Sequence, residues 1–142
     1  MEQINKSDVV RLEIPAAYNY LNLLGSCVRA YFDIADGKSQ GSGVAYNVEL
    51  AVHEACTNIV EHAYAGLPGR IVIILSLTRD PRRLVVELQD SGRSFQLPEI
   101  TQPDIQEPQV NGYGLFLIYQ LMDEIKYQPQ MGDNRWYLIK NL

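Results

Sequence analysis

Two β-branched segments joined by only four residues place the tightest limit on how this chain can fold. The segments are Arg70–Thr78 (RIVIILSLT) and Arg83–Gln89 (RLVVELQ), and Arg79-Asp80-Pro81-Arg82 connects them. Two β-branched runs with a short connection of this kind are typical of an antiparallel hairpin. We therefore expect both segments to be central strands of a sheet.

Two helices are predicted ahead of this hairpin. Apolar residues recur at three- and four-residue steps from Ala17 to Tyr31, after a β-prone segment at Val9–Ile14, and a second helical pattern covers Val44–Ala65. A third helical pattern begins at Gly112, and the segments KYQPQM and RWYLIKNL supply two further candidate strands. This order does not fit an alternating parallel β-α-β array. It favours an α+β two-layer sandwich, with the helices packed on one face of a mixed, mainly antiparallel sheet.

Length and charge narrow the possible functions. A chain of 142 residues suits one domain, residues 1–142, and burial of about 68% of the unfolded surface would not require disulfides or a structural metal. The net charge of −5 gives no general attraction to nucleic acid. No signal peptide or membrane-spanning stretch is apparent, and Cys27 and Cys56 form no C-x-x-C pair. We expect a cytoplasmic protein that binds neither nucleic acid nor membrane.

The second predicted helix carries a carboxylate and a carboxamide on one face. Glu54 and Asn58 are four residues apart in ELAVHEACTNIVEHAY, so both side chains leave the same side of the helix. Glu61 and His62 continue this polar stripe. Taken alone, the stripe is typical of a solvated helix surface.

A second candidate lies where the hairpin ends. Asp90-Ser91-Gly92 follows the apolar strand directly, and a carboxylate at a strand end can accept a hydrogen bond from a ligand amine. An ordinary turn would have the same composition. Phe95, three residues beyond Gly92, could cover a planar ring or simply pack in the core.

A third candidate is the Gly112-Tyr113-Gly114 sequence, between a proline-rich segment at Phe95–Asn111 and the third helix. Backbone amides of such a turn can meet phosphate oxygens at the positive end of a helix. A dinucleotide-binding turn is disfavoured, because Leu117 stands where a third glycine is required. The sequence also lacks a P-loop and the H-R-D and D-F-G motifs of conventional protein kinases.

The order of these three candidates is more specific than any one of them. HEACTNIVEHAY resembles the N-box of the histidine-kinase-like (GHKL) ATPase superfamily, DSGRSF resembles its first glycine box, and NGYGLFLIYQLMDEIKY resembles its second glycine box. Within that superfamily, the chain is similar to the anti-sigma factor serine-protein kinases of bacterial partner-switching systems. The resemblance covers nearly the whole chain and implies a Bergerat-type ATP-binding fold.

The resemblance also implies a role for individual residues. Asn58 would hold Mg²⁺, Asp90 would bind the adenine amino group of ATP, and Glu54 would be the general base. The segment Phe95–Asn111 would be the ATP lid. The remaining implied nucleotide-binding residues are Gly92, Phe95, Gly112, Tyr113, Gly114 and Leu115.

By the same resemblance, the chain would phosphorylate an anti-anti-sigma (STAS-type) partner and sequester a sigma factor. It would do so as a homodimer formed through the N-terminal strand and first helix.

One departure from the family pattern is that no Lys or Arg occurs from Ser94 to Ile125, whereas phosphoryl transfer benefits from a cation. Arg93 is a candidate substitute, and His62 is expected to be a packing residue. The alternatives are a nucleotide-gated protein-binding switch without useful kinase activity and an inactive scaffold with this fold.

Overall fold

The structure, a computed structural model, describes residues 3–4, 8–35, 43–95 and 112–142. Apart from Phe95, the predicted lid at Phe95–Asn111 lies outside these residues. The described elements, in chain order, are β1 (Gln3–Ile4), β2 (Val10–Pro15), α1 (Tyr18–Ala35), α2 (Val44–Asn58), a π-helical turn (Ile59–Ala63), β3 (Arg70–Arg79), β4 (Arg83–Asp90), α3 (Gly112–Leu121), β5 (Glu124–Gln128) and β6 (Asn134–Asn141).

The strands form one sheet with β3 and β4 at its centre. Its order is β1-β3-β4-β6-β5, and β2 pairs with β3 on the same side as β1. The predicted hairpin is confirmed, with Ile71 opposite Asp90 and Thr78 opposite Arg83. Every strand pair in the described part of the chain is antiparallel.

The helices form the second layer, which confirms the predicted two-layer α+β sandwich. Alternate residues of β3 and β4, such as Ile73 and Leu88, are buried beneath the helices. In the helical layer α2 packs between α1 and α3. Because α2 is central, its fully buried positions include Val48, Val52 and Cys56, and burial raises the pKa of the Cys56 thiol.

The second helix ends differently from the prediction of one helix through Ala65. Its α-helical part stops at Asn58 and continues as the π-helical turn, in which Tyr64 N–H donates to the Ile59 carbonyl at 3.0 Å. The chain then leaves the helix at Ala65, where φ is +52°. A π-helical turn accommodates one extra residue, and it lies here immediately after the polar pair of α2.

None of the helices in the described part of the chain is long and apolar enough to cross a membrane.

Candidate functional site

The N-box and the second glycine box meet where α3 begins. A β-carbon placed on Gly114 would lie 3.1 Å from Oε2 of Glu54 and 3.7 Å from Oδ1 of Asn58. The two polar side chains of α2 therefore face the backbone of the first turn of α3. No hydrogen bond of either side chain is found within the described residues, so their oxygens are available to a ligand there.

The other implied second-box residues lie in the same turn. Gly112 and Tyr113 are the first two residues of α3, and Leu115 follows Gly114. Leu115 is partly buried against the core. The first amides of a helix have no partner within the helix, so this turn presents N–H groups beside Glu54 and Asn58.

Asp90, at the end of β4, is the buried carboxylate of the site. Its side chain is 5% exposed, and Oδ1 accepts hydrogen bonds from Gly92 N–H at 2.9 Å and from Nδ2 of Asn134 at 3.1 Å. Oδ2 is buried without a hydrogen-bond partner. Burial raises the pKa of Asp90, while the bonds from Asn134 and Gly92 oppose that rise. A buried acceptor without a donor is costly, so Oδ2 suits the amino group of a purine.

Gly92 lies against the end of the π-helical turn. A β-carbon on Gly92 would approach the Ala63 carbonyl oxygen to 2.5 Å and its carbonyl carbon to 2.6 Å. Arg93 N–H donates to the same Ala63 oxygen at 2.7 Å. Only glycine allows this contact, which fixes the first glycine box relative to the helix that carries Asn58.

Asn134 is a site residue that the sequence analysis missed. Its side chain is fully buried, and its Nδ2 donates to the Gly92 carbonyl at 2.9 Å as well as to Asp90. Its Oδ1 accepts from the Ser94 hydroxyl at 2.6 Å and from Gln130 N–H at 3.2 Å. The one available signal was an asparagine immediately before a predicted strand, which is equally typical of a turn.

Phe95 packs in an aromatic cluster. Its ring centroid lies 5.8 Å from that of Tyr127, 5.9 Å from that of Trp136 and 6.2 Å from that of His62. Its N–H donates to the Tyr127 hydroxyl at 2.8 Å. This cluster anchors Phe95, the first residue of the predicted lid, and it places His62 in the packing role expected for it.

Arg93 caps the helix. Its guanidinium donates to the His62 carbonyl at 3.2 Å, among the last carbonyls of the π-helical turn. A cation at a helix C-terminus is stabilised by the free carbonyls and the helix dipole. This contact directs Arg93 to the helix end and not to the Glu54–Asn58 pair.

The residues present fit a magnesium nucleotide. Asp90 offers an unpartnered buried acceptor for a purine amine. Gly92 and Gly114 lie so close to Ala63 and to Glu54 that a side chain at either position would crowd its neighbour. Asn58 supplies a neutral oxygen of the kind Mg²⁺ accepts, and a nucleotide brings several phosphate ligands of its own. Asp90 thus suits a purine base, and the Glu54–Asn58 pair beside the first turn of α3 suits Mg²⁺ and phosphates.

Fold and sequence together define the class. The family model for the histidine kinase-like ATPase domain matches residues 15–139, and the chain belongs to this family. The family resemblance of the three boxes is therefore confirmed.

Particular relatives are more informative. The chain is 32% identical over 141 residues to the serine-protein kinase RsbW of Bacillus mycoides (strain KBAB4), a match that covers 91% of this chain and 82% of the relative. It is 33% identical over 144 residues to the RsbW of Bacillus cereus (strain AH187), covering 93% and 82%.

A solved structure shares the fold. The crystal structure of the RsbU and RsbW domains of Rv1364c from Mycobacterium tuberculosis superposes with a TM-score of 0.66 at 18% identity. The match covers 94% of this chain and 32% of that longer chain.

Proposed function

We propose that this chain is an ATP-dependent serine-protein kinase that also acts as an anti-sigma factor. It phosphorylates a small anti-anti-sigma (STAS-type) protein and, when free of that protein, sequesters a sigma factor. The observation that carries the proposal is the unpartnered Oδ2 of Asp90 at one end of a site whose other end brings Glu54 and Asn58 to Gly114. The relatives named serine-protein kinase support the reaction type.

Each residue has a distinct task in this proposal. Asp90 accepts the adenine amine through Oδ2, and Gly92 lets the base approach. Asn58 holds Mg²⁺, which when bound neutralises phosphate charge and polarises the γ-phosphoryl group. Glu54 takes the proton from the serine hydroxyl of the partner, and the amides of Gly112–Leu115 face the phosphates. The free cysteines Cys27 and Cys56 are in keeping with a cytoplasmic site of action.

The test uses ATP labelled on the γ-phosphate with STAS-type candidate partners. We expect transfer to a serine of one candidate by the native chain, binding of Mg-ATP without transfer by Glu54→Gln, and strongly weakened but still measurable ATP binding by Asp90→Asn. ATP binding without transfer to any candidate would overturn the kinase assignment. Native affinity in Asp90→Asn would overturn the assignment of the site.

The second candidate is a nucleotide-gated protein-binding switch without useful phosphoryl transfer. It is favoured by the cation-poor stretch from Ser94 to Ile125 and by the engagement of Arg93 with the helix end. Partner pulldown with Mg-ATP and with Mg-ADP separates the two functions. A switch would bind different partners in the two states and would behave identically when Glu54 is replaced by Gln.

The proposed enzyme is a homodimer, and the flank formed by β2 and α1 supports this assembly. In the described part of the sheet β2 pairs only with β3, so its other side has no strand partner there. Antiparallel pairing of β2 with β2 of a second copy, centred on Leu12, would set Arg11 opposite Glu13 of that copy. Both charged residues are exposed, and opposite charges in facing positions stabilise strand pairs.

Helix α1 adds an apolar stripe on the same flank. Its members recur every three or four residues and are Tyr20, Leu23, Cys27, Ala30 and Ile34. Since α1 lies over β2 and β3, a sheet continuous across the dimer would bring two copies of α1 to about the 8–10 Å typical of packed helices.

Charge reversal tests this assembly. Arg11→Glu and Glu13→Lys should each weaken the dimer in sedimentation, and a mixture of the two variants should restore it, because both facing pairs are then opposite in charge. Leu23→Asp should also weaken it, whereas Tyr46→Asp, at a side chain exposed to 57% against 56% for Leu23, should not. A monomer at all concentrations, or a dimer indifferent to these changes, would refute the proposed interface.

A further inference from the structure

The phenol of Tyr64 connects three segments around the first glycine box. Its hydroxyl donates to the Arg70 carbonyl at 2.5 Å and accepts the Ser91 N–H at 3.0 Å. The Ser91 hydroxyl lies 3.3 Å away. Because the one phenolic proton is engaged by Arg70, the oxygen faces Ser91 as an acceptor. Tyr64 therefore bridges the end of the α2 segment, the start of β3 and the residue after Asp90.

The phenol is held firmly in this place. The side chain is 8% exposed, and a β-carbon on Gly69 would come within 2.3 Å of its ring. Its own N–H closes the π-helical turn on Ile59. The helix that carries Asn58 thus determines where the Tyr64 hydroxyl lies. Because this hydroxyl accepts the Ser91 N–H, it fixes the Ser91 amide relative to that helix.

We infer that Tyr64 is a positioning residue for purine recognition, an inference that rests on the proposed function. Tyr64 acts through Asp90 and not by touching the ligand. Asn134 holds the Asp90 carboxylate and the Gly92 carbonyl, while Tyr64 holds the amide between them. Because both sides of the turn are fixed, Oδ2 of Asp90 already has its binding orientation before the nucleotide binds. Binding therefore costs little conformational entropy at this residue.

The test compares Tyr64→Phe with Tyr31→Phe. Tyr31 is 7% exposed, and its hydroxyl also donates to a backbone carbonyl, that of Asp8 at 2.8 Å. Both variants should fold, and Tyr64→Phe should lose more stability, because its hydroxyl has two backbone partners and that of Tyr31 has one. Only Tyr64→Phe should weaken Mg-ATP binding, by about tenfold in calorimetry, because it removes a hydrogen bond that aligns the group that binds the purine. In the transfer assay, KM for ATP should rise by the same factor while kcat stays unchanged.

A double-mutant cycle with Asp90→Asn shows whether Tyr64 acts through Asp90. The tenfold cost should shrink to less than about twofold when Tyr64→Phe is combined with Asp90→Asn, with binding stoichiometry reporting the folded fraction of each variant. An equal cost with and without Asp90→Asn, an equal cost from Tyr31→Phe, or no cost at all would overturn the inference. Native affinity in Asp90→Asn alone would instead refute the proposed site, so the two failures are distinguishable.

Discussion

Gly92→Ala offers the most direct test of how the site is held together. The new β-carbon would stand 2.5 Å from the Ala63 carbonyl oxygen, whereas ordinary contact begins at 3.4 Å, so one segment must move by about 0.9 Å. The three nearest atoms belong to the backbone and Cβ of Ala63, and none of them can rotate away. Overpacking of this kind costs about 1–3 kcal/mol.

The same displacement separates the two ends of the site. It strains the bond from Arg93 N–H to Ala63 and moves Asp90 relative to Asn58. We expect the free energy of unfolding to fall by about 2 kcal/mol. We expect Mg-ATP affinity to fall about 30- to 100-fold, because misplacement by about 1 Å has effects of this order.

Urea unfolding followed by the fluorescence of the single tryptophan, Trp136, gives the stability, and calorimetric titration gives the affinity. Gly25→Ala is the control, because the three atoms nearest to its β-carbon all belong to the side chain of Glu49, with Oε1 at 3.1 Å. The control should be neutral or slightly stabilising. Affinity within threefold of native in Gly92→Ala, at unchanged stability, would refute the tight-contact reasoning.

Three further predictions concern Gly114, Asp90 and Asn134. Gly114→Ala should leave stability nearly unchanged, because its β-carbon meets the flexible end of the Glu54 side chain. It should lower kcat about tenfold or more in the transfer assay, because it displaces the Glu54 carboxylate; native kcat would contradict this. Nucleotide affinity should be full above the raised pKa of Asp90 and should fall as the pH decreases through that pKa, because the ionised carboxylate is the form that accepts the amine. The fall should begin at a higher pH than an ordinary Asp would require. Calorimetric titrations across a pH series test this shift, and a midpoint at the ordinary pKa of Asp argues against it. Asn134→Leu should cost about 2–4 kcal/mol in urea unfolding, since it removes one of the two donors to Oδ1 of Asp90 and the donor to the Gly92 carbonyl, and leaves the Ser94 hydroxyl and Gln130 N–H without their acceptor. It should also move the pH midpoint for binding upward, and a stable variant with a native pH profile would count against the role of Asn134.

Much of the fold could be predicted from local pattern. The β3–β4 hairpin was visible because β-branched runs and a four-residue connection are local signals. The helices were visible because their apolar residues repeat at helical spacing. The π-helical turn was missed because no local pattern marks it, and the carbonyls of its last two residues, His62 and Ala63, bond to Arg93, which is 31 and 30 residues further along the chain.

The candidate site likewise contains residues that the sequence predicted and residues that it did not. Glu54, Asn58, Asp90 and the glycines could be named because three short motifs occur in a fixed order. Asn134 and the Tyr64 hydroxyl could not, because their importance depends on partners far away in sequence, Asp90 and Ser91. The amino-acid sequence therefore predicts candidate ligand-binding residues more readily than the residues that hold them in position.

The strand order has a consequence for the chain during its synthesis. Strand β4, which ends at Asp90, pairs with β6, and β6 begins with Asn134. When β4 has emerged from the ribosome but β6 has not, Asp90 lacks the side-chain amide of Asn134, and one edge of β4 has no strand partner. The carboxylate proposed to bind the purine therefore gains its Asn134 donor only late in translation, after both strands of the central hairpin have been synthesised.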